Sequence, residues 1–188
     1  MREQVIRNIQ EEFLGTAFRY LVDSGLENTS IRDLCKAMGI SSGSLYYWFD
    51  GKDDVYINAV KYGLSKVTAS IFDFVFSHIG DLENMFALFL DEIDKHKQEM
   101  RLIFQMTASP VYGDRIREKA LEEQENYKEY LAQLCETLSG TPDDWAPVVF
   151  MISSTILDYV LWDDRAFSET QMHFLYEMMK TKAQELKK

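Results

Sequence analysis

The sequence predicts an all-α protein of about nine helices. Apolar residues recur at three- and four-residue intervals in successive segments, and glycine or proline separates these segments. No stretch alternates apolar and polar residues as a half-buried strand would. With 188 residues, 46% of them hydrophobic, the chain is long enough to bury a sizeable core. The pattern divides into a small three-helix head at residues 1–50 and a larger helical body at residues 51–188.

Caps and breakers set the helix boundaries in the head. Ser30 is a good N-cap, with Asp33 three residues later as a capping-box partner. Gly39 can end that helix in a left-handed conformation, and Ser41 can cap the next one. The resulting head helices span about 2–24, 30–39 and 41–49.

In the body, glycine and proline likewise separate the predicted helices, which are longer. Gly80, Pro110 and Pro142 interrupt the apolar pattern. The helix at about 143–163 is apolar on nearly all sides, so it needs cover on two of them. The predicted body helices span about 52–78, 81–97, 98–108, 114–139, 143–163 and 169–186.

The stretch from Thr29 to Lys52 has the spacing of a helix-turn-helix motif. Cys35 is small where two helices would cross, Gly39 forms the turn, and Leu45 can fill the angle between them. The second helix would present hydroxyls, bare backbone and aromatic rings, carried by Ser42, Gly43, Ser44, Tyr46, Tyr47 and Trp48. An ordinary pair of core helices is the alternative explanation of this spacing.

This stretch resembles the DNA-binding domain of the TetR family of bacterial transcriptional regulators. The residues in register with the family pattern are Thr29, Leu34, Cys35, Gly39, Ile40, Ser41, Gly43, Leu45, Tyr46, Phe49 and Lys52. Ser42 stands where many members carry Lys or Arg, Trp48 where His or Tyr is common, and Asp50 where a basic residue is frequent.

The resemblance implies a DNA-binding face. It places Thr29 and Arg32 at the start of the first motif helix and Lys52 at the start of the helix that follows the motif. Thr29, Tyr46 and Lys52 are then expected to touch phosphates. The residues expected to face base edges are Ser42, Ser44, Tyr47 and Trp48, with Gly43 between them.

The resemblance also implies a function, which is a ligand-responsive regulator of transcription in the cytoplasm, usually a repressor. Such a homodimer binds a pseudo-palindromic operator and is released by a small, largely apolar effector. The alternative is a helical interaction protein whose head no longer binds DNA. The net charge of −11 favours that alternative. However, residues 1–52 carry only −1 of it, so most of the acidity lies in the body.

Other classes of function find little support in the sequence. No nucleophile motif, phosphate-binding glycine loop or cysteine cluster is present, so we expect no enzyme, no cofactor and no metal. His78, His96 and His173 are scattered, and the spacing of Glu92 and His96 lacks a third ligand. We also expect no membrane segment.

Two further surfaces are predicted in the body. Aromatic residues are expected to line an effector cavity, namely Phe72, Phe86, Phe89, Phe104, Tyr127 and Tyr159. The two last helices are expected to form a four-helix dimer interface, as in the family, through Val149, Ile152, Ile156, Met172, Leu175 and Met179. Periodicity alone leaves open which of these six positions face the interior instead.

Overall fold

A computed structural model describes residues 2–186, with the side chains from residue 6 onward except those of 124–129, 131, 133 and 134. Within this range the structure consists of eight α-helices and the turns between them, which confirms the all-α fold. The helices are α1 (Arg2–Ser24), α2 (Ile31–Met38), α3 (Ser42–Trp48), α4 (Lys52–His78), α5 (Leu82–Ala108), α6 (Gly113–Leu138), α7 (Pro142–Trp162) and α8 (Arg165–Leu186).

The two helices expected at 81–97 and 98–108 are one continuous helix, α5. The polar run at their junction contains no glycine or proline, and ion pairs one turn apart hold it together. Lys95 Nζ lies 2.5 Å from a Glu92 carboxylate oxygen, and Lys97 bonds to Asp94 in the same way at 3.4 Å. A polar stretch without a breaker is therefore a solvated helix segment here.

The last helix begins at Arg165, four residues earlier than expected. Asp163 takes the left-handed conformation that ends α7, with φ of 62°. The side chain of Asp164 then accepts the backbone N–H of Phe167 at 3.0 Å, as an N-cap does. The two acidic residues therefore end one helix and begin the next.

The chain forms two compact units. The first contains the residues up to Val67 together with Gln98–Ala120, and the second contains Thr68–Lys97 together with the residues from Leu121 onward. Helices α4, α5 and α6 are each divided between the two units.

The first unit has a core in which α1 and α4 approach closely. Phe18 and Leu21 of α1 are buried, as are Val60 and Gly63 of α4. A Cβ atom added at Gly63 would lie 2.2 Å from the Phe18 ring, so no larger residue fits without movement. Gly63 therefore sets the distance at which α4 packs against the head helix.

The second unit contains a charged network that joins α5, α7 and α8. Lys97 is buried, bonds to Asp163, and lies over the Tyr159 ring at 3.5 Å. Burial lowers the pKa of Lys97, but its bonds to Asp163 and Tyr159 outweigh this and leave the pKa raised. Arg165 binds Asp94 at 2.8 Å and Asp91 at 2.6 Å. These paired charges hold the α7–α8 turn against α5.

Helix α7 is long and apolar enough, by length and composition, to cross a membrane. Only 28% of its most apolar window is buried within the chain. One side of α7 packs inward through Trp145, Val148 and Tyr159, while Phe150 and Leu161 on the other side are exposed. This composition is typical of a helix covered on one side by its own core and on the other by a partner.

Candidate nucleic-acid interface

Helix α2 has the caps that its sequence predicts. The Asp33 N–H bonds to the Ser30 hydroxyl at 3.2 Å, and the Ser30 N–H bonds to the Asp33 carboxylate at 3.0 Å. The Ser30 hydroxyl and then the Ser30 backbone N–H, which both donate to the Asp33 carboxylate, hold the pKa of Asp33 below its ordinary value because they stabilise its charged form. Gly39 is left-handed, with φ of 68°, and the next residue, Ile40, donates its N–H to the Cys35 carbonyl at 3.0 Å.

Helix α3 follows after a three-residue turn, Gly39–Ser41. Ser41 caps it by accepting the Ser44 N–H at 3.1 Å. Leu45 is fully buried, and Cys35 is 6% exposed, as the helix-turn-helix spacing requires. Phe49, which ends α3, is also buried. The apolar side of this seven-residue helix is therefore anchored in the head, and its other side faces solvent.

The solvent side of α3 carries most of the residues predicted to face DNA. Ser42, Gly43 and Ser44 are exposed, Tyr46 is 57% exposed and Tyr47 is 80% exposed. We call these five residues the recognition face.

Trp48 is half-buried behind the recognition face and does not extend it. The edge of its ring system meets Phe13 of α1 at 6.2 Å and Tyr47 at 5.3 Å, centroid to centroid. It therefore supports Tyr47 from the core side.

Thr29 does not fit the prediction of a phosphate contact by its side chain. It is only 2% exposed, and its hydroxyl donates to the Gly25 carbonyl at 2.7 Å. The loop that contains it is closed by a residue that the sequence did not single out, Tyr56 of α4. The Tyr56 hydroxyl lies 2.7 Å from the Thr29 carbonyl and 3.0 Å from that of Leu26. Thr29 therefore helps to position α2 from inside the head.

Two predicted basic residues lie near the recognition face in sequence. Arg32 is exposed on α2. Lys52, the first residue of α4, is half-buried with its ammonium 5.1 Å from the centre of the Tyr56 ring. The contact with the ring orients the Lys52 stem and leaves three N–H donors for another partner.

Two acidic residues beside Lys52 contact Tyr112, which precedes α6, and Arg115, which lies in its first turn. Arg115 lies 3.1 Å from the Asp54 carboxylate, and Tyr112 donates its hydroxyl to Asp53 at 2.9 Å. Burial, followed by the bond to the charged Asp53, raises the pKa of Tyr112. Sequence reasoning missed these contacts because the partners are 59 and 61 residues apart.

Comparisons with known proteins bear directly on this region. Residues 13–59, from α1 into α4, match the profile of the bacterial regulatory proteins of the tetR family. The matched residues, 13–59, belong to a TetR-type domain. The family resemblance predicted from the sequence is therefore confirmed.

A curated relative matches a longer stretch of the chain. A stretch of 102 residues, 53% of the chain, is 26% identical to the HTH-type transcriptional regulator PksA of Bacillus subtilis. That stretch spans about half (50%) of the relative's length.

Two solved structures share the fold of this chain along most of its length. A TetR transcription regulator from Haloarcula marismortui superimposes with a TM-score of 0.66 at 18% identity, covering 96% of this chain and 98% of its own. A transcriptional regulator from Rhodococcus gives 0.61 at 19% identity, with 90% and 94% covered. At such identities these two similarities establish the fold alone.

The aromatic residues predicted to line an effector cavity have varied surroundings. Phe72 stacks on Tyr130 at 4.6 Å, Phe89 meets Phe74 at 5.9 Å, and Phe86 meets Tyr176 at 5.9 Å. The other three predicted residues are Phe104, which is part of the first compact unit, Tyr159, whose hydroxyl donates to Asp94 at 2.7 Å, and Tyr127, whose side chain lies outside the described residues. Tyr159 is thus a member of the charged network, which differs from the expected apolar role.

A cleft of about 430 Å³ lies between α5 and α8 in the second unit. Phe86, Leu90 and Met172 form its apolar part. The remaining lining residues are Glu83, Ala87, Arg165, Glu169, His173, Tyr176, Glu177 and Lys180. Of the five predicted aromatic residues whose side chains the structure describes, Phe86 is the one that lines this cleft.

The predicted dimer residues divide into surface and core. Val149 is 39% exposed, and Ile152 and Ile156 are half-buried. In contrast, Met172, Leu175 and Met179 are each 2% exposed, so they belong to the core of the protomer and cannot be its outer surface. The exposed apolar residues on the two helices include Val149, Phe150, Leu157, Leu161, Phe167 and Phe174. We call this set the α7–α8 surface.

Proposed function

We propose that this protein is a sequence-specific DNA-binding regulator of transcription that acts as a homodimer on a pseudo-palindromic operator. The observation that carries the proposal is the recognition face, which is exposed on a helix anchored by Leu45 in a TetR-type domain. A helix-turn-helix places such a face in the major groove. In a twofold dimer, two half-sites would then lie about one helical turn apart or a multiple of it.

Each group has a distinct role in the proposed complex. Tyr46, Arg32 and Lys52 contact phosphates and set the register of the head on DNA. Ser42, Ser44 and Tyr47 face base edges, with Gly43 allowing the backbone to approach. Two heads held in one dimer bind the second half-site at high effective concentration, which offsets the small charge of each head.

The decisive experiment selects duplexes from a random pool with the purified protein. Binding to the most enriched duplex is then measured across salt concentrations. Lys52→Ala should weaken selected and scrambled duplexes about equally and lower the salt slope by about one for each head. Lys66→Ala is the matched control, because Lys66 is an exposed lysine on the same helix, about 21 Å further along it. Unchanged binding after combined Tyr46→Phe and Lys52→Ala substitution would exclude this face.

The α7–α8 surface supports the homodimer part of the proposal. Six apolar residues face solvent there on two adjacent helices, and large exposed apolar patches mark interaction sites. A twofold axis at this surface would bring four helices together, two from each protomer.

We further propose that a small, largely apolar effector controls DNA binding, with repression relieved when it binds. The cleft between α5 and α8 has the volume of a small-molecule site and an apolar floor. Ala87→Trp should fill this cleft from an exposed position. In a thermal-shift screen of small aromatic compounds, true effectors should stabilise the wild type but not Ala87→Trp. They should also lower the operator affinity of the wild type. Operator DNA should in turn lower the affinity for the effector by the same factor.

The second candidate function is a helical interaction protein whose head has lost DNA binding. The uncharged sequence of α3 and the net charge of −11 favour it. The same selection distinguishes the two functions: a pool with no enriched duplex at low salt, from a folded dimer, supports the interaction protein.

A further inference from the structure

The recognition helix α3 lacks every side chain that forms paired hydrogen bonds with a single base. Its sequence is Ser-Gly-Ser-Leu-Tyr-Tyr-Trp. Guanine is read by Arg or Lys, adenine by Asn or Gln, and cytosine by Asp or Glu. Direct readout from α3 is therefore limited to hydroxyl groups and to apolar contact.

The serine hydroxyls of α3 are partly engaged within the protein. The Ser44 and Ser41 hydroxyl oxygens lie 2.9 Å apart, and Ser41 also accepts the Ser44 N–H. The Ser42 hydroxyl lies 3.9 Å from the Cys35 sulfur across the motif. Because a hydroxyl both donates and accepts, the serines discriminate weakly between bases even where they reach them.

Tyr47 is the most exposed aromatic side chain of the recognition face, at 80%. Its ring is held edge-on by Trp48 at 5.3 Å, and Trp48 is held in turn by Phe13 at 6.2 Å. Phe13 belongs to α1, so the support originates outside the motif helices. A rigid, exposed ring on a helix that enters the major groove offers apolar area at little entropic cost.

The thymine methyl group is the apolar feature of the major groove. We propose that Tyr47 selects thymine in each half-site by packing its ring against the C5 methyl group. This inference rests on the proposed function and adds the class of DNA that the head prefers. The operator half-sites would therefore contain a required thymine whose methyl group, rather than its hydrogen bonding, is read.

The test replaces thymine by uracil in the selected duplex, one position at a time. Uracil keeps the base pair and all hydrogen-bonding groups and removes only the methyl group. Loss of one buried methyl contact should weaken binding about fourfold, and replacement in both half-sites about 15-fold. Uracil placed outside the half-sites of the same duplex is the control and should change nothing.

Variants of Tyr47 assign the effect to this residue. Tyr47→Phe should retain the full uracil penalty, because the ring makes the contact. Tyr47→Ala should bind the thymine duplex more weakly and lose the difference between thymine and uracil. A selected duplex that tolerates uracil at every half-site position would overturn the inference while leaving DNA binding intact. A uracil penalty that persists in Tyr47→Ala would also overturn it. If no duplex is selected, the proposed function itself fails.

Discussion

Phe150 gives the sharpest test of how two chains associate. Its side chain is 72% exposed on α7. An aromatic side chain has about 200 Å² to bury, so a partner could cover about 140 Å² of it. At about 25 cal/mol per Å² this contributes about 3.5 kcal/mol per protomer, as an upper value. In a twofold dimer Phe150→Glu loses the contribution twice, up to about 7 kcal/mol, so we expect dimer affinity to fall by as much as about 10⁵-fold.

Analytical ultracentrifugation at micromolar concentration measures this change. Val111 is the matched control, because it is 70% exposed in the first compact unit, away from α7 and α8 in sequence. Val111→Glu makes the same charge change and should sediment as the wild type. Far-UV circular dichroism should show both variants folded. If wild-type protein sediments as a monomer, or Phe150→Glu stays dimeric, the assignment of this interface is wrong.

Three further predictions concern the first compact unit. Gly63→Ala should lower Tm by about 5 °C, because the new methyl group meets the buried Phe18 ring, whereas Gly80→Ala, with open space around it, should not. Tyr56→Phe leaves two loop carbonyls without their donor, so it should cost about 1–3 kcal/mol in urea unfolding and weaken operator binding. Asp33 has a lowered pKa when folded, so its stabilising effect is present above the unfolded value of 3.8 and lost as pH falls through the folded pKa. The stability difference between wild type and Asp33→Ala, measured by urea titration, should therefore be constant near neutrality and shrink below about pH 4.

The head was predictable because its determinants are local. Ser30, Asp33 and Gly39 fix the ends of α2 through bonds that span at most five residues. The buried position of Leu45 follows from its spacing to the same glycine. Thr29 is the exception, because its burial depends on Tyr56, which lies 27 residues away.

The body was predictable in its helices but less so in their faces. On α8, both Leu175 and Phe174 belong to apolar stripes at helical spacing, yet Leu175 is 2% and Phe174 61% exposed. The 3.6-residue period identifies stripes and cannot say which stripe faces the core. The polar contacts of Tyr159 were not predictable for a related reason, since its partners Asp94 and Lys97 lie on another helix.

The structure also bears on how an acidic chain could bind DNA. Near Lys52, Arg115 offsets the charge of Asp54, and Asp53 accepts a hydrogen bond from the Tyr112 hydroxyl. With Arg32, Lys36 and Lys52 as the available cations, a dimer would make about six phosphate contacts, which gives a salt slope of about −5. Sequence-independent binding would then be weak, and most of the selectivity would have to come from base contacts and from two heads acting together. Because the second head adds its contribution only when both half-sites are correctly spaced, operator occupancy should fall sharply when the half-site spacing is changed.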